Sequence, residues 1–360
     1  MTAATVDATY RCRYTKADRS MTSSPEFSIL KRLADEPHTS PSLTELPPFP
    51  KNMMVELSNA CNHACIFCAN PKMTRRISRI RPDLLERLLG EAQALGVDEV
   101  GFYTTGDPFV HKDLAQFIAL AKSLGIRYTY VSTNGALASP ATSKTVIDAG
   151  LDSMKFSVNA GSRVTYKAIH GKDDYDKVIE NLMWISQYRK SLPRPLYLSI
   201  TYVVINQNRH EVDAFRERMA PFVDDIYFSP GGIQAGNMLE NLQVLLPGDQ
   251  QVADFKPCWM VFGRAHITCE GYLTLCCVDY QNYLALVDLN TTSLENAWRH
   301  SKFIEMRRRH LDNKLEATLC YNCLYGKLTP IEPLVPEFAT RVDWTGLNEQ
   351  NRQELEKRLK

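Results

Sequence analysis

Three cysteines crowd the stretch SNACNHACIFCAN (residues 58–70): Cys61, Cys65 and Cys68, spaced CxxxCxxC. A thiolate is a soft anionic ligand. Three on one short loop can bind zinc with a fourth ligand from elsewhere, or hold an iron–sulfur cluster. A [4Fe–4S] cluster bound by only three cysteines leaves one iron open to a substrate or cosubstrate. A second set lies far along the chain: Cys258, Cys276 at the end of Gly271-Tyr-Leu-Thr-Leu-Cys276, and the CxxC pair Cys320 and Cys323. Four thiolates can close a zinc ribbon, or saturate a cluster and leave no iron for a substrate. Cys12, Cys269 and Cys277 are left over. Cys12 lies in the N-terminal tail. Cys269 and Cys277 flank a hairpin, where each can be a small buried hydrophobe or a donor of its weakly bound S–H hydrogen atom.

These residues need elements to position them. Apolar runs with strand character occur at 53–58, 98–104, 127–132, 153–159, 196–204 and 224–229, and segments with helical spacing at 82–95, 111–124, 140–149, 174–190 and 208–220. Arg81-Pro82-Asp83 puts proline and an acidic residue in the first turn of the first helix. Alternation at this period predicts parallel strands with right-handed crossovers, in an α/β fold of six units that forms a partial barrel. Ligands in such sheets sit at the C-terminal strand ends. The first cysteine set directly follows the first strand and so belongs there. Past about residue 231 the alternation stops. The segment 257–330 is cysteine-rich, with a hairpin of arms AHITC and YLTLCC turning at Glu270-Gly271, then a helix at 293–312 and LCYNC. The expected organisation is a disordered or packing tail at 1–50, the barrel at 51–230, a linker at 231–256, the cysteine-rich domain at 257–330, and a C-terminal arm with a short helix at 331–360.

Composition narrows the function classes. Lysine and arginine number 42 against 41 aspartates and glutamates, so no basic surface for nucleic acid is expected. The basic run Arg307-Arg308-Arg309 reads as the wet face of a helix. No apolar run has the length of a membrane span, and the N-terminus lacks the apolar centre of a secretory signal. A cytoplasmic setting follows as the expectation, in which ten cysteines serve as metal ligands or reactive thiols rather than disulfides.

CxxxCxxC after the first strand of a six-unit partial barrel, with Phe67 just before the last cysteine, resembles the radical S-adenosylmethionine (SAM) superfamily over roughly residues 50–230. The resemblance implies a TIM-like partial (βα)6 barrel. Its open iron would chelate the methionine moiety of SAM, and an electron would cleave the sulfonium to a 5′-deoxyadenosyl radical. Thr104-Thr105-Gly106-Asp107-Pro108 stands where members of that family often have Gly-Gly-Glu-Pro, which implies cosubstrate contacts at Gly106 and Asp107. Asp107 is one methylene shorter than the usual glutamate. Ser132 and Asn134 in VSTNG, Ser157 and Asn159 in the fourth strand, and Phe67 resemble further cosubstrate-binding positions, and Asn206 a weaker one. His63 reads as a loop residue. The second cysteine set resembles the SPASM/twitch extension of some radical enzymes. No cysteine follows Cys323, so one auxiliary [4Fe–4S] cluster is implied.

The function so implied is hydrogen-atom abstraction from a small hydroxylated substrate (a sugar, aminocyclitol or nucleoside), leading to dehydrogenation or epimerisation, with a carrier such as flavodoxin or ferredoxin supplying electrons. Cys269 and Cys277 are the candidate hydrogen-atom donors. The alternatives are a maturase acting on a ribosomally made peptide, for which the 1–50 tail lacks the pattern of a leader-binding domain, and a non-catalytic zinc scaffold.

Overall fold

The computed structural model describes residues 43–238, 241, 245, 256–326 and 329–339. Cys12, most of the expected tail and linker, and the charged segment 348–360 lie outside these residues. Strands and helices alternate: β1 (Asn52–Val55), α1 (Pro82–Ala94), β2 (Glu99–Gly101), α2 (Leu114–Ser123), β3 (Tyr128–Thr133), α3 (Pro140–Asp148) and β4 (Ser153–Ser157). They continue with α4 (Arg163–His170), α5 (Tyr175–Tyr188), β5 (Tyr197–Val204), α6 (Val212–Met219) and β6 (Asp225–Pro230). The six strands pair in chain order and all run parallel.

Local chemistry explains the boundaries. Pro82 and Asp83 open α1, and Leu84, Leu85, Leu88, Leu89 and Ala92 bury one helical stripe against the sheet. The Ser139 hydroxyl caps α3 by accepting from Thr142 N. α4 was not among the expected helices. Its signals are the Ser162 cap on Thr165 N and the left-handed Gly171 at its end.

The sheet does not stop at β1. A one-turn helix, α7 (Met260–Gly263), leads into β7 (Ala265–Ile267), which pairs parallel to β1, with Met54 opposite His266. β8 (Tyr272–Thr274) and β9 (Ala285–Asp288) then add antiparallel. The predicted hairpin therefore extends the barrel sheet to nine strands in the order β6-β5-β4-β3-β2-β1-β7-β8-β9. It covers the edge that β1 would otherwise leave unpaired. The expected helix over 293–312 is two, α8 (Leu294–Trp298) and α9 (Ser301–Leu311), each with its own cap, at Ser293 and His300. α10 (Leu319–Tyr325) carries the CxxC pair. Residues 43–50 pack onto this region. Pro47 and Pro48 carbonyls accept from Trp298 Nε1, and Phe49 meets the Trp298 ring edge-on. Arg307 of the basic run is buried beneath that ring, whereas Arg308 is the exposed one, paired with Glu45.

Period-two alternation sorts the strands into two faces. Met53, Val55, Val100, Val131, Met154, Phe156, Leu198, Ile200, Ala265 and Ile267 join the helices in one core. The opposite face, carrying Asn52, Met54, Tyr130, Ser132, Lys155 and Ser157, turns inward and forms the lumen. Gly101 stands there because a Cβ would lie 2.5 Å from the Tyr130 ring.

Candidate metal centres and substrate lumen

The loop that carries Cys61, Cys65 and Cys68 follows β1 at the C-terminal end of the parallel strands and is held by several neighbours. Asn59 Oδ1 accepts from Ser78 N at 2.8 Å, and Asn70 Nδ2 bridges the Asn59 and Thr105 carbonyls, each at 2.9 Å. Gly106 lets the loop after β2 approach: a Cβ there would sit 2.3 Å from Ser58 O and 2.5 Å from Ala60 O. His63 lies inward as a loop anchor, its Nε2 3.1 Å from Asp174 Oδ2.

Each thiol meets a different element. Asn134 Nδ2 points at Cys61 Sγ (3.8 Å), His170 Nδ1 lies 3.3 Å from Cys65 Sγ, and the Tyr280 phenol lies 3.4 Å from Cys68 Sγ. His170 Nε2 faces the Val158 carbonyl at 2.8 Å and so keeps its proton, which makes Nδ1 the acceptor of the Cys65 thiol. Burial, then the charge of neighbouring His63, brings His170 down to about 3. All three thiols are pushed up by burial. Asp107 adds to this at Cys61, and the other two cysteines add to it at Cys65.

Such a trio is costly to ionise alone and well suited to a polycationic partner. Among the described residues, the group with three ligand atoms within 4.8 Å of one another is Glu56, Cys269 and Glu270, not the cysteine sets. Thiolates around one tetrahedral zinc stand about 3.8 Å apart. The wider spread of the cysteine sulfurs fits an inorganic cluster better than a single ion. Glu56 and Glu270 are themselves engaged by Arg75, whose Nη2 lies 2.5 Å and 2.6 Å from their carboxylates.

The second set gathers at the far side of the extended sheet. Cys276 follows β8, Cys258 precedes α7, and Cys320 and Cys323 share one face of α10 at i and i+3. All four are free; a hydrogen bond with Cys277 and then burial raise the Cys276 thiol, and burial followed by the charge of Cys258 raises those of Cys320 and Cys323. This donor set fits a closed four-thiolate cluster.

Of the expected cosubstrate contacts, some open on the site and others are engaged by the chain itself. Asp107 is 4% exposed. Its carboxylate accepts from Phe109 N, Thr133 Oγ1 and Asn134 N at 2.8–3.0 Å. It therefore clasps the ends of β2 and β3 rather than projecting as a free acceptor. Asn159 Oδ1 accepts from Val203 N, and Asn208 Nδ2 donates to the Asn159 carbonyl. Phe67 is buried against Ile169, Ile205 and Leu245. Asn134 reaches the cysteine loop, donating to Asn62 Oδ1, while Ser132 and Ser157 stay half-buried on the lumen face.

Cys269 does not open on the lumen. It is 3% exposed in the helix-side core, with its Sγ 3.5 Å from Arg75 Nη2. Of the two readings of Cys269, this position is that of a small buried hydrophobe rather than of a hydrogen-atom donor. Cys277 is half-buried; Cys276 first, then His266 and Arg264, hold its thiol well below the ordinary range.

Sequence reasoning missed His170, Tyr280, Arg75, Glu56 and Arg264. Only Lys155 carried a signal, as a charge alternating with Met154 and Phe156 in an otherwise apolar strand. Lys155 Nζ lies 3.5 Å from Tyr103 OH and over its ring. Burial and then Arg264 bring Lys155 down to about 8, against the pull of Cys277, and burial pushes Tyr103 up to about 12.

Comparison with known proteins agrees with this architecture. Residues 55–219 match the Radical SAM superfamily, and residues 258–324 match SPASM, an iron-sulfur cluster-binding domain. A protein of Sulfurisphaera tokodaii named probable GTP 3′,8-cyclase is 30% identical over 163 residues, 45% of this chain and 50% of its own. One of the same name from Sulfolobus acidocaldarius is 29% identical over 165 residues, 46% of this chain and 50% of its own. The chain thus spans about half the length of these curated relatives. The fold resembles BtrN in complex with AdoMet and 2-DOIA (TM-score 0.52, 17% identity, covering 76% of this chain and 92% of that one). It also resembles Streptococcus suis SuiB bound to precursor peptide SuiA (TM-score 0.57, 15% identity, covering 73% and 67%). Residues 55–219 thus form a radical SAM domain and residues 258–324 a SPASM domain, with S-adenosylmethionine and two [4Fe–4S] clusters as the cofactors these domains imply.

Proposed function

We propose that this radical SAM enzyme dehydrogenates a small hydroxylated substrate held in the lumen between two cysteine sites. Cys61, Cys65 and Cys68 hold the SAM-binding cluster, and Cys258, Cys276, Cys320 and Cys323 hold the closed one. When bound, the clusters would supply single-electron chemistry: an electron from a flavodoxin- or ferredoxin-class carrier would cleave SAM to methionine and the 5′-deoxyadenosyl radical, that radical would take the carbon-bound hydrogen atom beside the substrate hydroxyl, and loss of the hydroxyl proton and of one electron to the closed cluster would leave the ketone. The chain's own residues do the positioning. Asp107 fixes the ends of β2 and β3, Asn134 orients the cysteine loop, and Ser132 and Ser157 offer hydroxyls to the cosubstrate or substrate.

The observation that carries this reading is the lumen wall. Tyr103, Ser132, Lys155, Ser157, Thr201 and Arg264 make it polar and hydrogen-bonding, the kind of surface that suits a hydroxylated small molecule. With Cys269 enclosed away from the lumen, dehydrogenation is favoured over epimerisation. The relatives named GTP 3′,8-cyclase favour a second reading within the same class, with a nucleotide as substrate. The test is anaerobic turnover in deuterated water with sugars, aminocyclitols, nucleotides and peptides as separate arms. Ketone formation without solvent deuterium in the product supports dehydrogenation. Deuterium at the reacting carbon restores epimerisation, and turnover of peptides alone makes the chain a maturase.

A further inference from the structure

Two cations, Lys155 and Arg264, line the lumen, and the Cys277 thiol lies near enough to act on both. Lys155 projects from β4. Arg264, just before β7, lies 3.7 Å through Nη1 from Met54 Sδ, with its guanidinium 5.0 Å over the Trp259 ring. Arg264 is the leading charge acting on Lys155. Among the described residues no carboxylate pairs with either one. The nearby acid, Glu56, is already engaged by Arg75, Thr104, Thr105 and the Cys269 N–H. Arg264 Nε and Thr201 Oγ1 are buried and lack hydrogen-bond partners. β5 carries Thr201 two positions beyond Ser199, the register partner of Lys155, so this hydroxyl lies on the same wall.

An unpaired charge held half-buried is costly and persists where a ligand supplies the opposite charge. A guanidinium offers a fork of donors and an ammonium a point charge, and the two charges together match a dianion. We infer that Lys155 and Arg264, with the Thr201 hydroxyl, form a binding site for a phosphoryl group of the substrate. This deepens the proposed function and rests on it for the lumen being the substrate site: the hydroxylated substrate is a phosphorylated one, anchored by its phosphate on the wall shared by β4, β5 and β7.

The test is titration calorimetry of the anaerobically reconstituted full chain with inorganic phosphate, and separately with acetate, without SAM or reductant. Phosphate should bind the native protein and bind at least tenfold more weakly to Lys155→Met and to Arg264→Met. Arg264→Lys, which keeps the charge, should stay within about threefold of the native affinity. Circular dichroism and iron content confirm that each variant is folded and loaded. Absence of phosphate binding to the native protein, unchanged affinity in both methionine variants, or acetate bound as tightly as phosphate would overturn the assignment. Because no turnover is involved, failure here leaves SAM cleavage intact, whereas absent 5′-deoxyadenosine formation sinks the proposed function without touching the phosphate result.

Discussion

Arg75→Met should be among the most destabilising single changes in the barrel. The Arg75 side chain is 1% exposed and spans three elements, with hydrogen bonds to Glu56 after β1 and to Glu270 in the β7–β8 turn. Burial alone would raise Glu56. The charge and hydrogen bonds of Arg75, with donors from Thr105 and Cys269 N, outweigh burial and hold it at about 2. Without Arg75, a fully enclosed carboxylate keeps only neutral donors, and loss of one partner from such a pair costs about 3–5 kcal/mol. Unfolding entropy near 2.1 cal/mol/K per residue gives roughly 0.7 kcal/mol per degree for a chain of this size, so the midpoint should fall by about 5 °C. Glu56→Gln combined with Arg75→Met removes the orphaned charge, and Glu270, whose side chain is 22% exposed, can turn to water. The double variant should therefore melt above the Arg75 single variant. Thermal unfolding of the anaerobic protein at a fixed scan rate, followed by circular dichroism, measures both. A single variant within a degree of native, or a double variant melting below the single one, would refute the buried-charge argument.

Further expectations follow from the same geometry. Gly106→Ala drives a methyl into the Ser58 and Ala60 carbonyls, so iron after reconstitution should fall by about half as the first site is lost and the second retained; a full complement would show that the loop yields. The single phenolic hydrogen of Tyr280 serves either Gln234 Oε1 or Cys68 Sγ. Tyr280→Phe should lower the first cluster's reduction potential by roughly 20–60 mV in a redox titration, and no shift would leave the phenol on Gln234. Glu56 has a depressed folded pKa, so its stabilisation is complete above about 4.5 and disappears as pH falls towards about 2. The native melting point should drop through that window more steeply than that of Glu56→Gln, and parallel curves would contradict the assignment.

The barrel was legible because buried parallel strands write themselves as apolar runs at a regular interval, and all six lie within a few residues of their expected places. The attachment of the hairpin to β1 was not legible. Pairing between Met54 and His266 is set by an open edge far away in the chain, which no local pattern encodes. The candidate metal sites could be read from spacing, since CxxxCxxC and CxxC are local. The residues that tune or surround them are scattered singly: His170 ends a helix, Tyr280 follows the second cysteine set, and Arg264 is one arginine before an apolar run. Asp107 shows the converse limit. Its position in the chain was anticipated, but its short carboxylate is spent on Thr133, Asn134 and Phe109, which only the folded chain reveals.

The central claim is that the trio at Cys61, Cys65 and Cys68 carries an iron left open for SAM while the quartet is closed. Electron paramagnetic resonance of the reduced, reconstituted protein, with and without SAM, tests it most directly. The native spectrum should contain two reduced [4Fe–4S] signals, one of which shifts on adding SAM. In the triple alanine variant of the trio that signal should vanish and the other stay unmoved. A signal that still responds to SAM in that variant, or a colourless protein carrying zinc in place of iron, would contradict the account.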